Sequence, residues 1–289
     1  MKVENIKTQI KSLPFRGRFR GGFIFFLLVA ITIASCNNDT APHWDDSKHK
    51  VYVQALDTVA YTYQSYKSRD KDCGDNPDST CTIVKFSYPE FAGKKALNDS
   101  VTHKFIQLFV QKPDRPVNTY DQLDANFMSS YTYFKRGNPH STLKYLLDGH
   151  AKVLSEDHYL ITVEVSGYSY HGGAHGVDLT GYINWNAKAN KFITLDNILY
   201  KGAKDTLTGI AERIFRKNEK ISDTTSLNNG RTYFFKDGKF SLPDTYVLTN
   251  YGIKFLYNVY TIKAYAAGKT YITVPYDNIR PLIKPHFGF

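Results

Sequence analysis

Near residue 144 the spacing of apolar residues changes from helical to extended, and that change restricts the chain to folds that lay helices on a sheet. Before it, Leu97, Val101, Phe105, Leu108 and Phe109 recur at three and four residues, as do Tyr120, Leu123, Phe127, Tyr131 and Phe134. That is the spacing of one helix face. Asn98 or Asp99 is expected to cap the first helix, with Pro113 stopping its continuation. Thr119 is expected to cap the second, which ends at Gly137-Asn138-Pro139. After the change, Tyr159–Val165 and Leu179–Trp185 are rich in strand formers. They read as antiparallel neighbours joined by an excursion over Gly167–Gly176. Upstream, the segment holding Val51, Val53, Val59, Tyr61 and Tyr63 and the segment Ile83–Tyr88 read as another pair of strands.

A second unit begins at Thr194–Leu199. It continues with a helix over 205–217, where Leu207, Ile210, Ala211 and Ile214 share a face, and a loop over Ser222–Gly230. Strands follow at 246–248, 253–257 and 271–275, then a short helix in 276–282. The expected class is therefore α+β: two small domains, each an antiparallel sheet with packed helices, over residues 50–186 and 190–289.

The start of the chain has its own order. Residues 1–22 carry Lys2, Lys7, Lys11, Arg16, Arg18 and Arg20 against Glu4, and an apolar run from Phe23 leads to Ile33-Ala34-Ser35-Cys36. A basic start, a short apolar run and small residues before a cut form a secretory signal. A cysteine placed directly after them resembles a bacterial lipobox, in which the thiol receives acyl chains such as palmitate. Residues 1–35 are thus read as a lipoprotein signal peptide, Cys36 as the lipidation site, and the polar residues 36–49 as a tether. The apolar run is short for a spanning helix, which needs about 20 residues; the competing reading is an uncleaved membrane anchor. Both readings place the folded part outside the cytoplasm, in the periplasm or at the outer membrane, with the membrane as a partner through the N-terminal lipid.

Removing the leader lowers the formal net charge from +10 to +5. No Lys/Arg run is dense enough for a nucleic-acid stripe, and export argues against such a partner. Cys73 and Cys81 bracket a turn rich in Gly, Pro, Asp and Asn. An oxidising compartment favours a disulfide there, contributing roughly 2–3 kcal/mol by the loop-entropy argument. The competing reading, a metal site, lacks a nearby histidine and a second thiol pair. No cofactor is expected.

Tyr168, Tyr170, His171, His175 and Asp178 form the densest polar-aromatic cluster in the sequence, and Gly172, Gly173 and Gly176 permit close backbone approach within it. Three readings stay open. His175 bonds nearby backbone and Tyr170 packs on the sheet in a structural turn; or the loop faces a ligand; or His171, His175 and Asp178 hold zinc. No Gly-x-Ser-x-Gly occurs, and Ser166 and Ser169 have no acid partner in sequence. Glu156, Asp157 and Glu164 are close in sequence and of the type a glycosidase pair needs. Glu156 and Asp157 read as turn residues, however, and such a pair is defined by distances rather than spacing.

Several segments together carry a resemblance. They are Gly172-Gly173-Ala174-His175-Gly176, Phe192–Ile198, Phe235–Phe240, Tyr246–Thr249, Gly252–Ile262, Ala264–Gly268 and Ile272–Tyr276. Over about residues 50–285 the chain resembles a paired-domain family of bacterial envelope proteins. That pair of domains of unknown function is found in lysozyme-binding anti-sigma factors of the RsiV type and beside peptidoglycan deacetylase domains of the PdaC type. The resemblance implies two α+β domains dividing after the strand that ends near Trp185, and it implies no catalysis. The short basic start is not expected to serve as an anti-sigma segment.

Two functions follow as expectations. The first is an envelope-anchored, non-catalytic binding or sensing lipoprotein, with a lysozyme-like protein or peptidoglycan as partner. The second is a metal-assisted hydrolase of wall glycans acting through His171, His175 and Asp178.

Overall fold

The computed structural model describes residues 59–113, 115–285 and 287. The expected signal peptide, Cys36, the expected tether, Val51 and Val53 lie outside the described residues. Strand β1 (Tyr61–Arg69) pairs antiparallel with β2 (Ile83–Phe91), in a register that sets Tyr61 against Phe91 and Arg69 against Ile83. Between them Cys73 and Cys81 form the expected disulfide, with Cα atoms 5.6 Å apart and both residues buried.

Helices α1 (Lys95–Phe109) and α2 (Tyr120–Gly137) follow, then β3 (Leu146–Glu156), β4 (Leu160–Tyr170), β5 (Val177–Asn186) and the short β6 (Lys191–Phe192). Strands β1 to β6 make one sheet in chain order. All neighbours are antiparallel except β2 and β3, so this sheet is mixed rather than purely antiparallel. The physical reason is the connection: a two-helix crossover separates β2 from β3, and a crossover returns a strand in the same direction.

Residues facing each other across paired strands share a face of the sheet. One face carries α1 and α2. Phe86 of β2, Leu147 of β3, Val163 and Val165 of β4, and Ile183 of β5 are buried there with Phe105, Phe109 and Phe127 of the helices. Helix α1 sits close because Gly149 and Gly167 pair directly across β3 and β4. A Cβ on Gly149 would lie 2.7 Å from the Phe105 ring, and one on Gly167 would lie 2.5 Å from the Asp148 carbonyl oxygen and 2.9 Å from the Phe109 ring. Gly167 is therefore a strand residue, not the start of the loop: β4 continues to Tyr170 and the excursion shrinks to residues 171–176.

Two helix expectations also change. Lys94 precedes α1 without a side-chain cap, because Asn98 accepts from Phe91 N and donates to Phe91 O, tying the helix to the end of β2. The helix stops at Phe109, before Pro113 acts. Thr119 does cap α2, accepting from Gln122 N, and Asn138 ends it.

The second region opens with α3 (Leu195–Ile198), capped reciprocally by Thr194 and Asn197, and α4 (Ala203–Glu219). Helix α4 packs Leu207, Ala211 and Phe215 onto Leu248, Phe255, Ile272 and Val274. Those four belong to β7 (Tyr246–Leu248), β8 (Gly252–Tyr257) and β9 (Thr270–Pro275), an antiparallel sheet followed by α5 (Tyr276–Ile279). The described residues thus form two α+β regions, each a sheet flanked by packed helices, within one compact unit. The opposite face of the small sheet presents Val247 and Leu256, which bury Tyr182 of β5. Asn184 seals this junction, donating to Tyr246 O and accepting from Leu248 N. No helix among the described residues is long and apolar enough to cross a membrane.

Candidate functional site

The β4–β5 loop emerges at the junction of the two regions, and its side chains divide between the two faces of the large sheet. His171 turns to the helical face. Its ring lies 4.7 Å from Phe127 and 5.3 Å from Tyr145, and its Nε2 is 2.7 Å from Ser169 Oγ. Nδ1 is buried without a hydrogen-bond partner among the described residues. Loss of hydration disfavours the charged ring and lowers its pKa from 6.5 to about 4.

His175 turns the other way. It lies flat on Tyr265, with centroids 3.8 Å apart and planes 15° apart, and its Nε2 is 3.3 Å from the Tyr260 hydroxyl. Tyr260 and Tyr265 are themselves 5.5 Å apart. His175 Nδ1 is 2.9 Å from the Gly176 carbonyl oxygen, which orients the ring. Tyr260 is 55% exposed and holds φ at +65°, a left-handed backbone that costs a tyrosine about 1 kcal/mol or more. The result is a ledge in which exposed His175 stacks on half-buried Tyr265, exposed Tyr260 tilts beside them, and the ring edges offer hydrogen-bonding groups.

Beneath the ledge runs a polar row read directly from the strand registers: Lys85, Asp148, Tyr168 and Asp178, one from each of β2 to β5. Lys85 pairs with Asp148 at 2.8 Å. Asp178 pairs at 2.6 Å with Lys269 of the second region, which also donates to Thr180 Oγ1. The Tyr168 ring lies where any Gly176 side chain would be, and its hydroxyl accepts from Gly176 N at 3.0 Å. Glycine is required there by contact rather than by backbone conformation. Tyr170 donates to Gly173 O, closing the loop on itself.

Of the five residues singled out in sequence, the structure therefore brings Tyr168, His175 and Asp178 to one side and sends His171 to the other. The three proposed zinc ligands do not converge: His171 is packed among rings, His175 is stacked on Tyr265, and Asp178 is bound to Lys269. Among the described residues no group of three His, Cys, Asp or Glu could hold a metal ion. The serines do meet histidines, which sequence spacing did not reveal. Ser166 Oγ is 2.9 Å from His150 Nε2 and Ser169 Oγ is 2.7 Å from His171 Nε2. Among the described residues no carboxylate bonds either ring to complete a triad.

Tyr260, Tyr265 and Lys269 escaped the sequence reading of the site. His175 and Tyr260 are 85 residues apart, and only the docking of the small sheet on β5 unites them. The signal that did exist was the tyrosine-rich tail, which carried the resemblance without pointing to a partner.

Residues 76–178 match the family model described as "Deacetylase PdaC", and residues 196–277 match the one described as "Protein of unknown function (DUF3298)". The chain thus pairs a region similar to the PdaC model with a region similar to the DUF3298 model. Its fold is similar to that of a DUF3298 family protein from Pseudomonas aeruginosa PAO1, at 18% identity and a TM-score of 0.62 over 78% of this chain and 95% of that one. It is likewise similar to a DUF3298 family member from Bacteroides fragilis, at 17% identity and a TM-score of 0.59 with the same coverage. No curated protein matches the sequence significantly. The ledge is built from both matched regions, since His175 and Asp178 lie in the first and Tyr260, Tyr265 and Lys269 in the second.

Proposed function

We propose that this chain is a non-catalytic, envelope-anchored binding or sensing lipoprotein whose ring ledge takes wall glycan. The observation that carries this reading is the stack of exposed His175 on half-buried Tyr265 at the junction, with exposed Tyr260 tilted beside it in a left-handed backbone. Flat ring faces suit the C–H faces of pyranoses, and the phenol and imidazole edges suit their hydroxyls. The Asp178–Lys269 pair beside it supplies polar groups at the rim. The pairing of a DUF3298-family region with a region named for a deacetylase supports an envelope setting and a partner in the wall. The separate partners of His171, His175 and Asp178 count against the metal-assisted hydrolase acting through those three residues. Lipidation at Cys36, with residues 36–49 as tether, would hold the two domains, 50–186 and 190–289, clear of the membrane.

The test uses the purified protein with peptide-free peptidoglycan strands and, separately, with lysozyme. Saturable glycan binding that Tyr265→Ala weakens at least about 10-fold, at unchanged melting temperature, is the expected outcome; stacking contributions of about 1.5 kcal/mol set that scale. Lysozyme binding without glycan binding would transfer the reading to a protein partner, and binding of neither would remove it. For the anchor, mass spectrometry of the mature N-terminus should find acylated Cys36; an unmodified peptide spanning Ser35–Cys36 would contradict it.

A further inference from the structure

Strand β5 is bordered by β6 only at Trp185 and Asn186, so the rest of its outer edge meets the second region. In an antiparallel strand alternate residues turn both backbone groups toward the same neighbour. Thr180 turns outward: its N–H donates to Asn258 Oδ1 at 2.9 Å and its carbonyl accepts from Asn258 Nδ2 at 2.8 Å. Asn184 turns outward as well, its carbonyl accepting from Ile193 N at 2.8 Å. Tyr182 lies between them in the same phase, and among the described residues nothing from the second region caps its backbone. A cavity of about 400 Å³ opens at this gap, lined by Tyr182 and Asn184.

Charged residues stand around the same cavity without ion-pair partners among the described residues. Lys104 and Lys204 line it, as do Asp196 and Asp244, and among the described residues none of the four forms an ion pair. The Lys104 stem lies against Gly181, where a Cβ would come within 2.8 Å of it, and its ammonium donates to Gln107 Oε1 at 2.8 Å. Burial lowers its pKa, a cost that an arriving carboxylate would relieve. Asp196 and Asp244 both lie near Tyr246, whose phenol burial pushes up to about 12 with each carboxylate adding to the rise.

We infer that this cleft binds a short linear peptide with free ends, its amide pairing with the open edge at Tyr182, its carboxylate toward Lys104 and Lys204, and its ammonium toward Asp196 and Asp244. A volume of about 400 Å³ is within the range of small-ligand sites, and pairing with an open strand edge supplies affinity through main-chain hydrogen bonds. The site is separate from the ring ledge and does not depend on the glycan reading.

The test titrates the full purified chain, labelled with ¹⁵N-tyrosine, with tri-alanine, using calorimetry and the Tyr182 amide resonance. One saturable site with a shifted Tyr182 resonance is expected. N-acetyl-tri-alanine amide, Lys104→Gln and Asp244→Asn should each weaken binding about 10-fold, as loss of a charge-assisted hydrogen bond does. Both variants should keep the parent melting temperature, and Tyr265→Ala should bind the peptide unchanged. No saturation, equal affinity for the capped peptide, or binding that leaves Tyr182 unmoved would overturn the proposal.

Discussion

The two faces of the large sheet use the same strands for different ends. On the helical face, Gly149 and Gly167 give up side chains so that Phe105 and Phe109 can approach, and His171 is dehydrated among rings. On the opposite face the strands carry Lys85, Asp148, Tyr168 and Asp178 in a row, and the second region reaches over to add Lys269, Tyr260 and Tyr265. His171 and His175 sit four residues apart and fall on opposite sides of this division. Sequence proximity put them in one cluster; the alternation of a strand followed by a glycine turn separated them. The lesson is that substitutions on the helical face should change stability, whereas those on the ledge should change binding.

The largest effect expected is Phe127→Ala. Its ring is buried under α2 and supports His171, so removing it should cost about 3–5 kcal/mol in chemical denaturation. A cost below about 1 kcal/mol would break the contrast between the faces. Gly167→Ala comes next, because its new methyl meets the backbone of Asp148 and Gly149, which cannot swing aside. About 1–3 kcal/mol should be lost, measured the same way. The third expectation concerns pH. The folded His171 ring has a pKa of about 4, below the ordinary 6.5, so the unfolded chain takes up the proton first as pH falls. Stability fully present above pH 6.5 should decline progressively toward pH 4. His171→Gln should flatten that part of the melting-temperature profile, and an unchanged slope would show the ring to be hydrated after all. The smallest effect is Lys269→Met. Its partner Asp178 is 60% exposed, so the loss should stay at or under about 1 kcal/mol by thermal melting.

Much of this architecture was legible in the sequence because it rests on periodicity. The helix cores at Phe105 and Phe127, the strand at Val163 and Val165, the Thr119 cap and the Cys73–Cys81 bridge each declare themselves locally. Strand direction did not, since nothing in the residues of β2 and β3 announces a parallel pair; the two-helix crossover decides it. Asn98 carried the right chemistry for a cap and used it instead on Phe91, a tertiary contact outside any local rule. The candidate site was half legible. Tyr168, His175 and Asp178 stood out through their glycines, whereas Tyr260, Tyr265 and Lys269 arrive from the far end of the chain. The open edge at Tyr182 was invisible for the same reason, being defined by what caps Thr180 and Asn184 on either side.

The central claim is that one loop serves stability through one histidine and recognition through the other. Measuring the melting temperature and the peptide-free glycan affinity of His171→Ala and His175→Ala side by side tests it most directly. His171→Ala should lower the melting temperature at pH 7 while the folded fraction keeps its glycan affinity. His175→Ala should keep the parent melting temperature and lose about 10-fold or more in affinity, the scale of a lost ring stack. Equal loss of affinity in both, or lost stability with intact affinity in His175→Ala, would contradict the account.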